Sequence, residues 1–171
     1  SSGFEDPLQF SLEALCCFRG VARRQDILHE DEKWIVLEDF AHHPTAVAGA
    51  IEALRAAYPD KPIHACFEPR SNTAATARFQ AEFTEALGRA DKIYLGPVHR
   101  AERMKLEERL DTEAMAVELC NGSREGSAFE SNTALLKQLS ADVSIGESGL
   151  VAFFTNGSFG GIQRELAKSL A

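Results

Sequence analysis

Short apolar runs that break off into a polar turn and then a helix recur along this chain. That alternation restricts the fold more than any other feature. Lys33–Glu38, Ile63–Phe67, Asp91–Gly96 and Gly149–Phe154 each carry consecutive apolar residues at strand length. Helical spacing follows three of them, with Val47, Ala50, Ile51, Leu54 and Tyr58, then Phe79, Phe83 and Leu87, and finally Ile162, Leu166 and Leu170. Gly149–Phe154 has no charged residue, as suits a strand covered on both faces. Strands separated by helices run parallel, because only a long crossover returns the chain to the same edge of a sheet. The expectation is an α/β domain, a mostly parallel sheet with helices on both sides. A small hairpin, Gln25–His29 and Lys33–Glu38 joined through Glu30-Asp31-Glu32, leads into it. Further helices are expected over Ser11–Gly20 and over Asp111–Asn121, the latter with Leu110, Ala114, Val117 and Cys120 inward. Another starts after Ser131, a suitable N-cap, with Leu135, Leu136 and Leu139 inside. Gly122–Ser127 reads as a loop, and Ala101–Arg109 as a solvated helix or loop in which nothing demands chemistry.

Composition narrows the class. With 171 residues, 44% of them hydrophobic, the chain suits one domain with a full core. A formal charge of −8 and a pI near 5.1 argue against a nucleic-acid surface, which needs clustered cations. No apolar stretch reaches the length of a membrane span. Ser1-Ser2-Gly3 shows no basic region followed by an apolar run, so no signal peptide is expected, and the triplet reads as native sequence or a tag remnant. Cys16, Cys17, Cys66 and Cys120 form no Cys-x-x-Cys pair; reduced thiols, mostly buried, in a cytoplasmic protein are the expectation. The histidines lack the His-x-x-x-His spacing of a helical zinc site, and no metal site is expected.

Polar chemistry collects where strands end. Trp34–Thr45 begins as a strand, turns acidic at Glu38 and Asp39, sets His42 beside His43 and reaches Pro44. Proline suits the first helical position, where its missing N–H would have had no partner. In an open α/β sheet such a turn lies at the carboxyl end of a strand, where ligands bind. The same residues have a structural use, Asp39 and His43 as helix caps and His42 as a satisfied turn residue. The second turn offers Arg70 with Ser71, Asn72 and Thr73, able to grip a carboxylate through a bidentate guanidinium and several donors. The third, Thr155–Gly161, places Asn156, Gly157 and Ser158 in a glycine-rich turn before a helix, a setting that favours an anion. Arg23 and Arg24 read as a solvated linker or, given guanidinium geometry, as phosphate ligands. Neither Gly-x-Gly-x-x-Gly nor a P-loop occurs. This edge suits an acidic, peptide-like or nucleotide ligand and lacks the parts to activate it alone.

Val-Ala-Arg-Arg at 21–24, Glu-Asp-Phe-Ala-His-His-Pro-Thr at 38–45, Phe-Glu-Pro-Arg-Ser-Asn-Thr at 67–73 and Thr-Asn-Gly-Ser-Phe-Gly-Gly-Ile at 155–162 resemble, in order, the C-terminal domain of the Mur ligases. These are ATP-dependent amide-forming enzymes of peptidoglycan synthesis. The second motif is shared with the alanine-adding branch. The third and fourth are closer to the recycling branch, the murein peptide ligases, which join L-alanyl-γ-D-glutamyl-meso-diaminopimelate to UDP-N-acetylmuramate. Ser158 departs from the pattern, standing where glycine is expected.

The resemblance implies a three-layer α/β/α, Rossmann-like domain over residues 23–171, with a six-stranded, mostly parallel sheet whose first strand is antiparallel. Residues 1–22 would be the tail of a preceding central domain and its linker. The P-loop and magnesium ligands would lie on that central domain, the UDP-sugar site on an N-terminal one. ATP and Mg are the implied cofactors, both held mainly outside this chain. By position, Arg24 would contact the ATP phosphates, Asp39 the ribose, and His42 the reacting centre or the incoming substrate beside His43. Arg70, Ser71, Asn72 and Thr73, with Asn156, Gly157 and Ser158, would hold the tripeptide. Two other classes compete on the residues alone. One is a stand-alone peptide- or nucleotide-binding module, and the other is a nicotinamide-binding domain, weakened by the missing glycine fingerprint.

Overall fold

A computed structural model describes residues 23–171, apart from Ser123. The expected helix over Ser11–Gly20 and the boundary at residue 22 lie outside the described residues. Strands β1 (Asp26–Glu30), β2 (Trp34–Asp39), β3 (Ile63–Phe67), β4 (Lys92–Leu95), β5 (Glu125–Ala128) and β6 (Gly149–Phe154) form one sheet in the order β1-β2-β6-β3-β4-β5. Only β1 runs antiparallel, paired with β2 through the expected hairpin and carrying an irregularity between Ile27 and His29. All the other pairings are parallel.

Helices cover both faces. Alternation along β2 sends Ile35 and Leu37 one way and Trp34 and Val36 the other, and each set joins a different core. The first core packs α1 (Pro44–Ala57) through Val47, Ile51 and Leu54, α2 (Gln80–Leu87) through Phe83 and Leu87, and α3 (Thr112–Leu119) through Met115 and Leu119. The second packs α4 (Asn132–Ile145) through Leu135, Leu139 and Val143, and α5 (Ile162–Leu170) through Ile162 and Leu166. Every residue of β2, β3 and β6 is buried, which is why those strands read as continuous apolar runs.

Three expectations need correction. Residues 125–128 form the sheet's edge strand β5, overlapping the stretch Gly122–Ser127 read as a loop. Glu-Gly-Ser-Ala offers no apolar run, and the strand needs its glycine: a Cβ on Gly126 would lie 2.7 Å from the Ala116 carbonyl oxygen on α3. Helix α3 is in a different phase from the expected one. The Asp111 carboxylate accepts the Ala114 N–H at 2.9 Å, and the buried face is Met115, Ala116 and Leu119, leaving Val117 76% exposed and Ala114 outward. Cys120 is exposed rather than buried, whereas Cys66 sits in the core as expected.

Candidate functional site

The sheet topology makes a crevice. Chains leaving β2 and β3 turn to helices on one face, while the chain leaving β6, the strand between them, turns to α5 on the other. Neighbouring connections that part company open a gap at the carboxyl edge, the usual place for a ligand in such sheets. Register brings the ends level, with Asp39 and Phe67 both opposite Phe154. The turns after β2, β3 and β6 therefore share one rim.

On the β2 side, Asp39 is buried, and its carboxylate accepts the N–H of Ala41 at 2.7 Å and of Gln25 at 3.0 Å. It holds the turn and the start of β1 rather than capping α1, whose N-cap residue is His43 with no side-chain hydrogen bond. Arg24, largely exposed, reaches to 3.8 Å from Asp39 and lies over the Phe40 ring. Arg23 is instead tied down, donating to the carbonyls of Thr155 (3.0 Å) and Gly157. His42 is half-buried with Nδ1 at 2.9 Å from the Phe40 carbonyl. A carbonyl only accepts, so Nδ1 carries the proton and Nε2 of the neutral ring keeps its lone pair. His43 is exposed and packs edge-on against Phe79.

On the β3 side a buried carboxylate organises the turn. Glu68 accepts from the Thr155 hydroxyl and from the Phe159 N–H at 3.2 Å, joining the turns after β3 and β6. Arg70 stands 3.6 Å from the same carboxylate, its side chain laid across Gly157. A Cβ at Gly157 would come within 2.0 Å of Arg70 Cδ, so any larger residue there would displace the arginine from this path. Arg70, Asn72 and Asn156 line a cleft of about 520 Å³ whose other wall is His99, Arg100, Arg103 and Met104.

The predicted site residues thus divide into two groups flanking the β6 turn. Arg24, Asp39, His42 and His43 stand by β2; Arg70, Asn72 and Asn156 share the cleft by β3. Ser71 is spent on the turn, its Oγ accepting the Ala74 N–H at 2.9 Å, and the Thr73 carbonyl accepts from the Thr76 hydroxyl. Ser158 has φ −100° and ψ −7°, which any residue adopts; the left-handed positions are Phe159, Gly160 and Gly161. Serine there costs the turn nothing. Sequence reasoning passed over Glu68, Thr155 and the cationic wall at 99–103. A charged residue closing the apolar strand Ile63–Phe67 was the available signal for Glu68; nothing local marked Arg100 or Arg103. Among the described residues no cluster of three or more His, Cys, Asp or Glu is placed to hold a metal ion. No helix among them is long and apolar enough to cross a membrane.

Residues 23–152 match the family described as Mur ligase, glutamate ligase domain. The chain belongs to the Mur ligase family. It is 40% identical over 89 residues to the UDP-N-acetylmuramate–L-alanine ligase of Lactococcus lactis, covering 52% of this chain and 20% of that protein. The corresponding ligase of Streptococcus suis is 34% identical over 120 residues, 69% of this chain and 26% of the relative. The chain therefore spans about a fifth to a quarter of such Mur ligases. Among solved structures, a murein peptide ligase from Psychrobacter arcticus superposes with TM-score 0.70 at 25% identity, covering 92% of this chain and 32% of that one. A domain from a putative UDP-N-acetylmuramate:tripeptide ligase of Haemophilus ducreyi shares the fold, with TM-score 0.63 at 24% identity, over 86% of this chain and all of that one.

Proposed function

We propose that this chain is the C-terminal, peptide-binding domain of an ATP-dependent ligase that joins L-alanyl-γ-D-glutamyl-meso-diaminopimelate to UDP-N-acetylmuramate. The observation that carries this reading is the cleft at the carboxyl edge, roomy and cationic, in a chain whose formal charge is −8. An incoming alanine has one carboxylate and one methyl group, and would leave most of about 520 Å³ and most of that charge unused. A tripeptide rich in carboxylates fits both. The murein peptide ligase at 25% identity supports the choice; the alanine ligases set the alternative branch.

The residues present suit the outer parts of a nucleotide only. Arg24 is free to move toward phosphates, and Asp39 retains lone pairs beside it. Nothing among the described residues gathers carboxylates for magnesium, which the central domain would hold. ATP with magnesium supplies the phosphoryl group that activates the muramate carboxylate. This domain's part is positioning: Arg70 and the two asparagines orient the peptide so that its free amine meets that carboxylate, and closure of the domain excludes water. His42 is the proposed proton acceptor for the attacking amine through its Nε2 lone pair. Arg24 offsets charge on the transferred phosphoryl group. Residues 1–22 are proposed as the tail of the central domain and linker.

Phosphate release by the complete enzyme, measured with UDP-N-acetylmuramate and either the tripeptide or L-alanine, tests the reading. Tripeptide-dependent release well above the alanine rate is expected. A preference for alanine would move the chain to the alanine-adding branch.

A further inference from the structure

The second wall of the cleft has no assigned role. It is built by residues 97–110, which leave β4 and fold back against the turn after β3. The His99 N–H donates to the Pro69 carbonyl at 3.0 Å, the Leu110 N–H to the Ala75 carbonyl at 2.9 Å, and Thr76 bridges to Arg109. These bonds fix the loop beside the segment that carries Arg70. Arg100 and Arg103 then lie over the same cleft as Arg70, Asn72 and Asn156, and no acidic residue lines it. Arg70 already has Glu68 as a partner at 3.6 Å. Arg103 has only Glu102, at 3.6 Å with both side chains about 70% exposed, a pair that solvent screens. Among the described residues no carboxylate lies within ion-pair reach of Arg100. Arg100 also holds a left-handed backbone, φ 57° and ψ 34°, which is unfavourable for a residue with a Cβ and is found where surrounding structure imposes it. The Arg103 N–H donates to its carbonyl at 2.9 Å, so both guanidinium stems rise from one short turn.

We infer that Arg100 and Arg103 bind a second carboxylate of the ligand whose first carboxylate is held by Arg70. The pocket is a dicarboxylate site, and a peptide with a single carboxylate fills half of it. This rests on the proposed function only in naming a peptide as the ligand. Phosphate oxygens would satisfy the same guanidinium groups, but the Asn72 and Asn156 amides, donors and acceptors both, match a peptide better than a phosphate chain.

The test is an NMR titration of this 171-residue chain with acetate, glutarate and pyrophosphate, and of the Arg100→Gln/Arg103→Gln double variant with the same three. Glutarate is expected to bind at least about tenfold more tightly than acetate, with shifts at residues 69–76 and 99–104. The double variant should bring glutarate down to the acetate level, with the remaining shifts confined to residues 69–76 and its spectrum reporting an intact fold. Glutarate no better than acetate, absence of saturable shifts, or a double variant that keeps the gain would overturn the inference. Pyrophosphate binding above glutarate would overturn it in favour of a nucleotide subsite. Should the dicarboxylate result hold while the complete enzyme ignores the tripeptide, the proposed function alone would fail.

Discussion

Arg70 and Gly157 act as one device. The guanidinium takes its path to the cleft across a backbone with no Cβ, and the buried Glu68 carboxylate steadies it from behind. Lysine keeps the charge but loses the planar, two-pronged geometry. Arg70→Lys in the complete enzyme is therefore expected to weaken peptide use at least about tenfold, roughly 1.4 kcal/mol. The constants for ATP and UDP-N-acetylmuramate should stay nearly unchanged in steady-state kinetics. All three suffering equally would place Arg70 at a domain interface instead. Gly157→Ala reaches the same end without touching the charge. With its new methyl 2.0 Å from Arg70 Cδ, either the arginine or the turn must move. A peptide defect in the direction of Arg70→Ala is expected, with stability in urea denaturation changed by no more than about 0.5 kcal/mol, because the half-exposed arginine can swing aside.

At the scale of elements, α3 is the informative helix, because its sequence admits more than one inward face. Ala114, Val117 and Cys120 keep a helical spacing, and so do Met115 and Leu119. The Asp111 cap and the close approach of Gly126 on β5 select the second set. Met115→Ala is expected to cost about 2–5 kcal/mol as a cavity in the core. Val117→Ala, at 76% exposure, should change stability by no more than about 0.5 kcal/mol. Chemical denaturation of the two variants decides it; comparable losses would mean that the helix is rotated.

For the molecule as a whole, the two cores differ in one respect that acid should expose. The second core encloses a polar chain linking β3, β4 and α4. Tyr94 donates to Asp142 at 2.6 Å, and His64 Nδ1 lies 3.3 Å from the Tyr94 oxygen. Burial pushes the His64 imidazole down from 6.5 to about 4. Between those values the unfolded chain takes up a proton that the folded one refuses, so stability falls as pH drops through the window and levels off below it. A loss of roughly 3 kcal/mol from this group is expected between neutral pH and about pH 4. Urea midpoints across that range should fall less steeply for His64→Gln than for the parent, and identical slopes would exclude His64 as the source. Residues 23–171 supply two extensive cores while the sequence carries no P-loop motif, so the isolated chain is expected to fold cooperatively and neither hydrolyse ATP nor form the amide. Magnesium-dependent turnover by the purified fragment would contradict that.

Strands with both faces covered declare themselves by composition, and helices with one covered face by period. Lys33–Glu38, Ile63–Phe67 and Gly149–Phe154 were therefore legible from the chain, as were the stripes of α1, α2 and α5. The polar turns after those strands were legible for the same reason, since polar side chains interrupt an otherwise apolar pattern at Asp39, Arg70 and Asn156. Local sequence was silent wherever a residue's role depends on what lies across a gap. Edge strand β5 pairs on one side only and carries no apolar code. The inward face of α3 is chosen by a cap and a neighbouring glycine. Glu68 and Thr155 meet because β3 and β6 are adjacent though 87 residues separate them. Arg100 and Arg103, in a stretch with no pattern of its own, join Arg70 only because backbone hydrogen bonds fold their loop onto the turn after β3. A run or period of apolar residues announces a buried strand or helix face, whereas proximity between distant residues is settled by strand order, which only the tertiary structure supplies.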